Sequence, residues 1–333
     1  MNIICDKTLL SAAIDGVSKA VTLRSTIPVL EGILLKAEGF QLTLTGYDLE
    51  MGIVTTIEAN VKEPGEIVLT YNGSAEENFG RILDRGMREY RDELCISTKA
   101  GYEMWDGPYG DRNGSRKYLI SSLDQSLKRM KLDYVDIYYH HIYDPETPLE
   151  ETALALDSIV KQGKALYVGI SNYNRENTEK IQNIFRELKT PFVINQPSYS
   201  MLNRWIEADK LDEYALENGI GLSIFSPLYQ GFLTGKYLNG VPSDSRVGKG
   251  ATWIGNELNE KMLSRLNKLN NIAAERGQTL AQTALSWVLH NKAVTTVIIG
   301  ASRPQQIIEN AECVKHLDFS DEEIRKIEAV LAE

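Results

Sequence analysis

The rhythm of apolar residues changes once along the chain, near residue 70, and that change requires two differently built parts. Ahead of it, Leu9, Leu10, Ala13, Ile14 and Val17 follow i, i+3, i+4 spacing, as one amphipathic helix over Lys7–Val17 demands. From Leu30 the period becomes two. Leu42-Thr43-Leu44-Thr45-Gly46-Tyr47 alternates and residues 52–59 are rich in β-branched side chains, with turn residues at Gly39 and Pro64-Gly65. This part reads as strand, helix and antiparallel meander, without a catalytic constellation. Aromatic usage changes at the same place. Residues 1–70 hold two aromatics, Phe40 and Tyr47, and no Trp or His, whereas all four Trp and all four His follow. The expected division is therefore 1–70 and 71–333.

Beyond residue 70, helical patterns alternate with short apolar runs. Strands are expected at 94–99, 134–141, 165–171, 192–196, 221–226 and 295–300. Helices are expected at 74–88, 115–130, 149–162, 175–188 and 210–218, with one long helix at 261–290 and closing helices at 304–314 and 321–331. Apolar strands separated by helices imply a parallel sheet covered by helices, an α/β chain of the (β/α)8 TIM-barrel type. A doubly wound sheet is the rival, but no G-x-G-x-x-G follows any strand. Six strands are two short of eight, so the barrel is expected to lack its first two βα units. The net charge is −10, with 36 basic and 46 acidic residues. That balance argues against non-specific nucleic-acid coating or an anionic membrane surface. No run of about 18 apolar residues or signal peptide is present, and three scattered cysteines fit a reducing cytoplasm.

The ends of the expected strands carry the chemistry. Lys99 ends one and His141 the next; Ser171-Asn172, Asn195-Gln196, Ser226-Pro227 and Gly300-Ala301-Ser302-Arg303 end the others. Singly, a Lys or His at a strand end is an ordinary surface or structural residue. Together these polar ends would meet on one rim, which packing does not explain. Gly300–Pro304 runs from a strand into a helix whose free N–H groups favour an anion, with Ser302 and Arg303 beside them. Lys236 and Arg246 add cations in the loop after Ser226. The set suits a ligand with several phosphates, such as a dinucleotide. No metal site is expected.

Two resemblances follow from these residues. Arg24–Leu35 (RSTIPVLEGILL) with Leu42–Glu50 (LTLTGYDLE) resembles the start of the bacterial DNA polymerase III β sliding clamp, over about residues 1–70 and about half of one of its three domains. The chain from 72 onward resembles the aldo-keto reductases, in the branch of the glyceraldehyde-3-phosphate reductases and potassium-channel β subunits. The carriers are Ser74–Gly80 (SAEENFG), Ile96–Lys99 (ISTK), Gly163–Asn172 (GKALYVGISN), Gln196–Tyr199 (QPSY), Gly231–Tyr237 (GFLTGKY) and Ile299–Ser302 (IGAS). That resemblance implies NADP(H)-dependent reduction of a small aldehyde or ketone. It implies catalytic Lys99 and His141, with Ser171, Asn172 and Gln196 at the nicotinamide carboxamide. It places Ser226, Leu228, Lys236 and Arg246 around the pyrophosphate. Ser302, Gln306, Glu309 and Asn310 fall around the adenosine 2′-phosphate and adenine, and Gly300 is a further cofactor-binding candidate from the strand-to-helix turn.

One departure matters. The family's catalytic Tyr, and the Asp five residues before it, fall where the clamp-like sequence stands. Tyr71 occupies the Tyr position and Glu66 the Asp spacing, but Glu66–Leu69 also belongs to the clamp resemblance. Impaired turnover is therefore expected of this chimeric chain. The alternatives are a DNA polymerase processivity-clamp fragment, with DNA and polymerase as partners only if that segment works, and a cofactor-binding subunit without turnover. Self-association into a homo-oligomer is left open.

Overall fold

The computed structural model describes residues 2–21, 32–47, 52–70, 73–102, 112–242, 257–301 and 303–333. Two compact units emerge, one gathering residues up to Leu94 with Gln125–Leu132, the other built from Cys95 onward.

The first unit is a five-stranded antiparallel sheet with one helix on it. Its strands are β1 (Asn2–Cys5), β2 (Gly32–Glu38), β3 (Gln41–Tyr47), β4 (Gly52–Glu63) and β5 (Gly65–Thr70). Helix α1 (Lys7–Val17) begins where the Asp6 carboxylate accepts from the backbone N–H of Thr8 and Leu9 at 2.8 and 3.0 Å. Its inward residues Ala13 and Val17 pack with Leu35, Ala37, Leu42, Leu44 and Ala59. The sheet order, β1-β4-β3-β2-β5, corrects the simple meander. β4 has twelve residues against seven in β3, so its last residues pass beyond β3 and pair with β1 from Cys5↔Ala59 to Asn2↔Glu63. β5 turns away from β4 and pairs with β2, Ala37↔Gly65 to Gly32↔Thr70. Helix α2 (Ser74–Ile82) follows, and Glu76 on it pairs with Arg129 at 2.6 Å.

The second unit is a six-stranded parallel sheet in chain order. Its strands are β6 (Ser97–Ala100), β7 (Val135–His140), β8 (Ala165–Ser171), β9 (Phe192–Gln196), β10 (Gly221–Ile224) and β11 (Val294–Val297). Each crossover is helical: α3 (Arg116–Met130), α4 (Leu149–Lys161), α5 (Arg175–Leu188), then α6 (Trp205–Ala208) with α7 (Leu211–Asn218), then α8 (Glu260–Glu275) with α9 (Leu280–His290). α10 (Pro304–Ala311) and α11 (Asp321–Ala332) complete it. This is the α/β, TIM-barrel-type arrangement, with six strands among the described residues. Leu222, Ile224, Phe232, Leu266, Leu280, Trp287 and Val288 lie in its main core, each large side chain contributing about 1.5–3 kcal/mol by leaving water.

Several boundaries differ from the sequence pattern. The single long helix over 261–290 is two, because Gly277 adopts φ +70° and Thr279 with Gln282 forms a capping box that starts α9 afresh. β10 stops at Ile224, short of Ser226, whose φ of +56° no strand accommodates. β11 likewise ends at Val297, ahead of Gly300.

α1 crosses β3 at Gly46, where an added Cβ would overlap the Val17 carbonyl oxygen. Gly46→Ala should therefore destabilise the first unit by about 1–3 kcal/mol. A urea titration followed by circular dichroism reads this; an unmoved midpoint would show that α1 can shift aside.

Candidate active site

A parallel sheet puts every strand's C-terminal end on one edge, and here that edge is polar. Lys99 lies within β6, His141 directly follows β7, Ser171 ends β8 and Gln196 ends β9. The strand register sets Lys99 beside Tyr139 and Ser171 beside Gln196. The Lys99 ammonium donates to the Gln196 side-chain carbonyl oxygen and lies 5.6 Å from the Tyr139 ring centroid. Ser171 Oγ donates to the Gln196 backbone oxygen at 2.7 Å, and the Asn172 N–H donates to the same oxygen at 3.2 Å. Asn172 adopts φ +57°, leaving the strand direction, and its Nδ2 donates to the His141 carbonyl at 3.1 Å. His141 N–H in turn donates to Ala100 O at 2.9 Å, and Tyr102 meets the His141 ring edge-on at 4.6 Å. Five residues expected at the site, Lys99, His141, Ser171, Asn172 and Gln196, thus form one hydrogen-bonded group, His141 through its backbone.

The electrostatics of that group are those of a partly buried rim. Burial lowers the Lys99 pKa. His141 is held down at about 4, first by burial and then by the Lys99 cation and the neighbouring His140. His141 is therefore neutral near pH 7 and can donate one hydrogen bond without carrying charge. His140, fully buried, is also held at about 4 by burial.

A second group surrounds a cavity of about 590 Å³ after β10 and β11. Ser226, Leu228, Lys236, Gly300 and Gln306 line it, together with Gln230, Gly231, Thr234, Ile298 and Ile299. Successive positive φ values at Tyr229, Gln230 and Gly231 curve the backbone here. A Cβ built on Gly231 or on Gly300 meets no atom within 4 Å, so the wall is bare backbone that a ligand can approach closely. Glu309 and Asn310 do not line the cavity; they lie on α10, three and four residues beyond Gln306. Glu309 is exposed and accepts Gln282 Nε2 on its backbone oxygen at 2.7 Å. Tyr71, Arg246 and Ser302 lie outside the described residues, and of Glu66 only the strand pairing with Lys36 is described.

The strand-end pattern left out Tyr139, Tyr102 and the Gln230–Thr234 wall. Tyr139 was within reach of sequence reasoning, since i and i+2 put it on the same side of the strand as His141. Tyr102 and the curved wall arise from loop geometry that no period announces.

The residues from 65 to 332 match the model of the aldo/keto reductase family. The chain belongs to that family. Residues 1–74 also match the N-terminal domain of the DNA polymerase III beta subunit. The L-glyceraldehyde 3-phosphate reductase of Escherichia coli K12 is 53% identical over 265 residues, covering 78% of this chain and 76% of that protein. A probable voltage-gated potassium channel subunit beta of Arabidopsis thaliana is 40% identical over 251 residues, covering 73% and 74%. Among solved structures, a thermostable aldo-keto reductase in complex with the inhibitor epalrestat superposes with a TM-score of 0.58 at 29% identity, covering 77% of each chain. As a member of the aldo/keto reductase family, with a named reductase at this identity, the chain is an oxidoreductase; such enzymes generally use NAD(P)H. No described helix is long and apolar enough to cross a membrane.

The two histidines make folding sensitive to acid. Each binds a proton near pH 6.5 in the unfolded chain but only near pH 4 in the folded one. Their contribution is intact above about pH 6.5 and is lost as pH falls from 6.5 towards 4, because the unfolded state then binds more protons. Replacing the fully buried one, His140→Gln, should make this fall shallower by about 1.4 kcal/mol per pH unit. Denaturant midpoints at pH 7 and pH 5 for both proteins check the slope; equal slopes would refute it.

Proposed function

We propose that this chain reduces small aldehydes and ketones with NADPH, with short phosphorylated aldehydes as the substrate class. The observation that carries the reading is the Lys99–Gln196–Ser171–Asn172–His141 group on the same sheet edge as the bare-backbone cavity. The phosphorylated-aldehyde reading takes its support from the relative that reduces L-glyceraldehyde 3-phosphate.

The residues fit a dinucleotide. Gly231 and Gly300 leave room for phosphate against the main chain, and Ser226, Gln306 and Lys236 bring a hydroxyl, an amide and an ammonium to the same wall. Arg246 and Ser302 would add to the phosphate grip, with Gln306, Glu309 and Asn310 towards the adenosine. Ser171, Asn172 and Gln196 would hold the nicotinamide carboxamide. When bound, the reduced nicotinamide supplies a hydride to the carbonyl carbon. The neutral His141 would orient the carbonyl by one hydrogen bond. Lys99, as a cation, would favour ionisation of the proton donor beside it. Tyr71 is proposed as that donor, with Glu66 in the place of the usual Asp; because this segment is also clamp-like, turnover is proposed to be impaired.

NADPH binding and turnover measured on one sample of verified intact mass test the reading. Bound NADPH should change in fluorescence, and small aldehydes should oxidise it slowly. Lys99→Met and Tyr71→Phe should each lower kcat by about 10²- to 10⁴-fold. Unchanged kcat in Tyr71→Phe would exclude Tyr71 as the acid. Binding without any turnover in the unaltered chain would instead make it a cofactor-binding subunit. Lys236→Ala should weaken NADPH about tenfold, the value of one charged hydrogen bond, as titration by fluorescence will show.

A further inference from the structure

Behind the rim lies a second, fully buried polar layer that the reaction as described does not use. Four residues of the rim each have a close neighbour in it. Gly101 is two residues from Lys99, His140 precedes His141, Tyr173 follows Asn172, and Asn195 precedes Gln196. His140, Tyr173 and Asn195 are each at most 1% exposed.

The hydrogen bonds of this layer have a determined direction. His140 Nε2 lies 3.3 Å from the Asn113 carbonyl oxygen, and Nδ1 lies 2.6 Å from the Tyr173 hydroxyl. A carbonyl oxygen only accepts, so Nε2 carries the ring proton. Nδ1 then holds a lone pair, and the Tyr173 hydroxyl donates to it. The Tyr173 backbone oxygen in turn accepts from Asn195 Nδ2 at 3.1 Å, and the same Nδ2 donates to Thr178 Oγ1 at 3.1 Å. The chain of bonds therefore ties the ends of β7, β8 and β9 together beneath the rim.

The imidazole is also held sterically. A Cβ on Gly101, at φ +150°, would come within 3.2 Å of His140 Cδ2, and one on Gly114 within 3.2 Å of His140 Cε1. The ring thus sits tight against both positions, and Gly114 is closed to a larger residue by Thr152 Oγ1, 2.5 Å from such a Cβ. Between β7 and β8 this leaves two hydrogen bonds side by side: Asn172 Nδ2 to His141 O on the rim, and Tyr173 Oη to His140 Nδ1 behind it. Fixing the second steadies the first, because His141 directly follows His140 and Tyr173 directly follows Asn172 at and just beyond the ends of β7 and β8.

We propose that His140 and Tyr173 are positioning residues that hold Asn172 and His141 in register and so set the binding of the nicotinamide end of the cofactor. The inference rests on the cofactor reading above. It predicts an effect confined to one end of the ligand, because the cavity that would take the phosphates is lined from the β10 and β11 ends and contains none of these residues.

The test compares NADPH with adenosine 2′,5′-bisphosphate, which shares the adenosine with its 2′- and 5′-phosphates but lacks the nicotinamide ribose phosphate. Tyr173→Phe keeps the ring and removes the donor, while His140→Leu removes both hydrogen-bonding atoms. His140→Gln restores one acceptor and one donor. In Tyr173→Phe and His140→Leu, NADPH should bind about tenfold more weakly while the bisphosphate binds as before, and His140→Gln should recover most of the loss. Unchanged NADPH affinity in Tyr173→Phe would overturn the proposal. So would equal weakening of both ligands, the mark of a general structural role. Should the unaltered chain bind neither ligand, the cofactor reading itself fails and takes the positioning role with it.

Discussion

The second unit depends on one constraint, the parallel register of strands laid down in chain order. Lys99↔Tyr139, His140↔Ile170 and Ser171↔Gln196 are ladder pairs, so the placement of each rim side chain is inherited from backbone hydrogen bonds. A slip of one residue in any of these ladders would send a rim side chain into a helix-covered face and bring an apolar one to the edge. The β8–β9 ladder is further locked by the Gln196 carbonyl, which accepts from both Ser171 Oγ and the Asn172 N–H. The turn at Asn172 then costs a left-handed backbone, and the amide side chain recovers part of that cost by bonding the backbone just past the end of the preceding strand, β7.

Much of this was legible in the sequence because periodicity and strand-end chemistry are local. β8, α5 and β9 fall on the residues their patterns indicate, since each is bounded by a clear stop: Gly163 with positive φ before β8, the Asn174 cap before α5, and Pro191 before β9. Polar strand ends were equally visible. What stayed hidden is set by φ or by partners far away in the chain. Gly277 breaks an apolar pattern that reads as continuous, and Ser226 ends a strand although its sequence would extend one. The β5–β2 pairing replaces the local hairpin, because β4 already has β3 on one side and β1 on the other.

The two adjacent histidines show the limit most directly. In the sequence they are identical neighbours; in the fold one terminates a strand with its ring sealed among Gly101, Gly114 and Tyr173, while the other begins a loop on the rim. Alternation along a strand sends successive side chains to opposite faces, which is enough to separate them. It says nothing about the bonds His140 makes, because Asn113 and Tyr173 are distant in sequence and meet it only after the sheet has formed.

Strand order also governs how such a chain can be made. In the parallel sheet each new strand pairs with the one synthesised just before it, so every segment leaving the ribosome finds its partner already waiting. The first unit is built differently: β1 waits for β4, and β2 for β5, across more than 25 intervening residues. Those two closures must be met before β1 and β5 are held, although β2–β3 and β3–β4 pair at once as hairpins. The part of the chain made first thus mixes two short hairpins with two long closures, whereas each parallel pairing waits for a whole crossover, from 20 residues between β8 and β9 to 69 between β10 and β11.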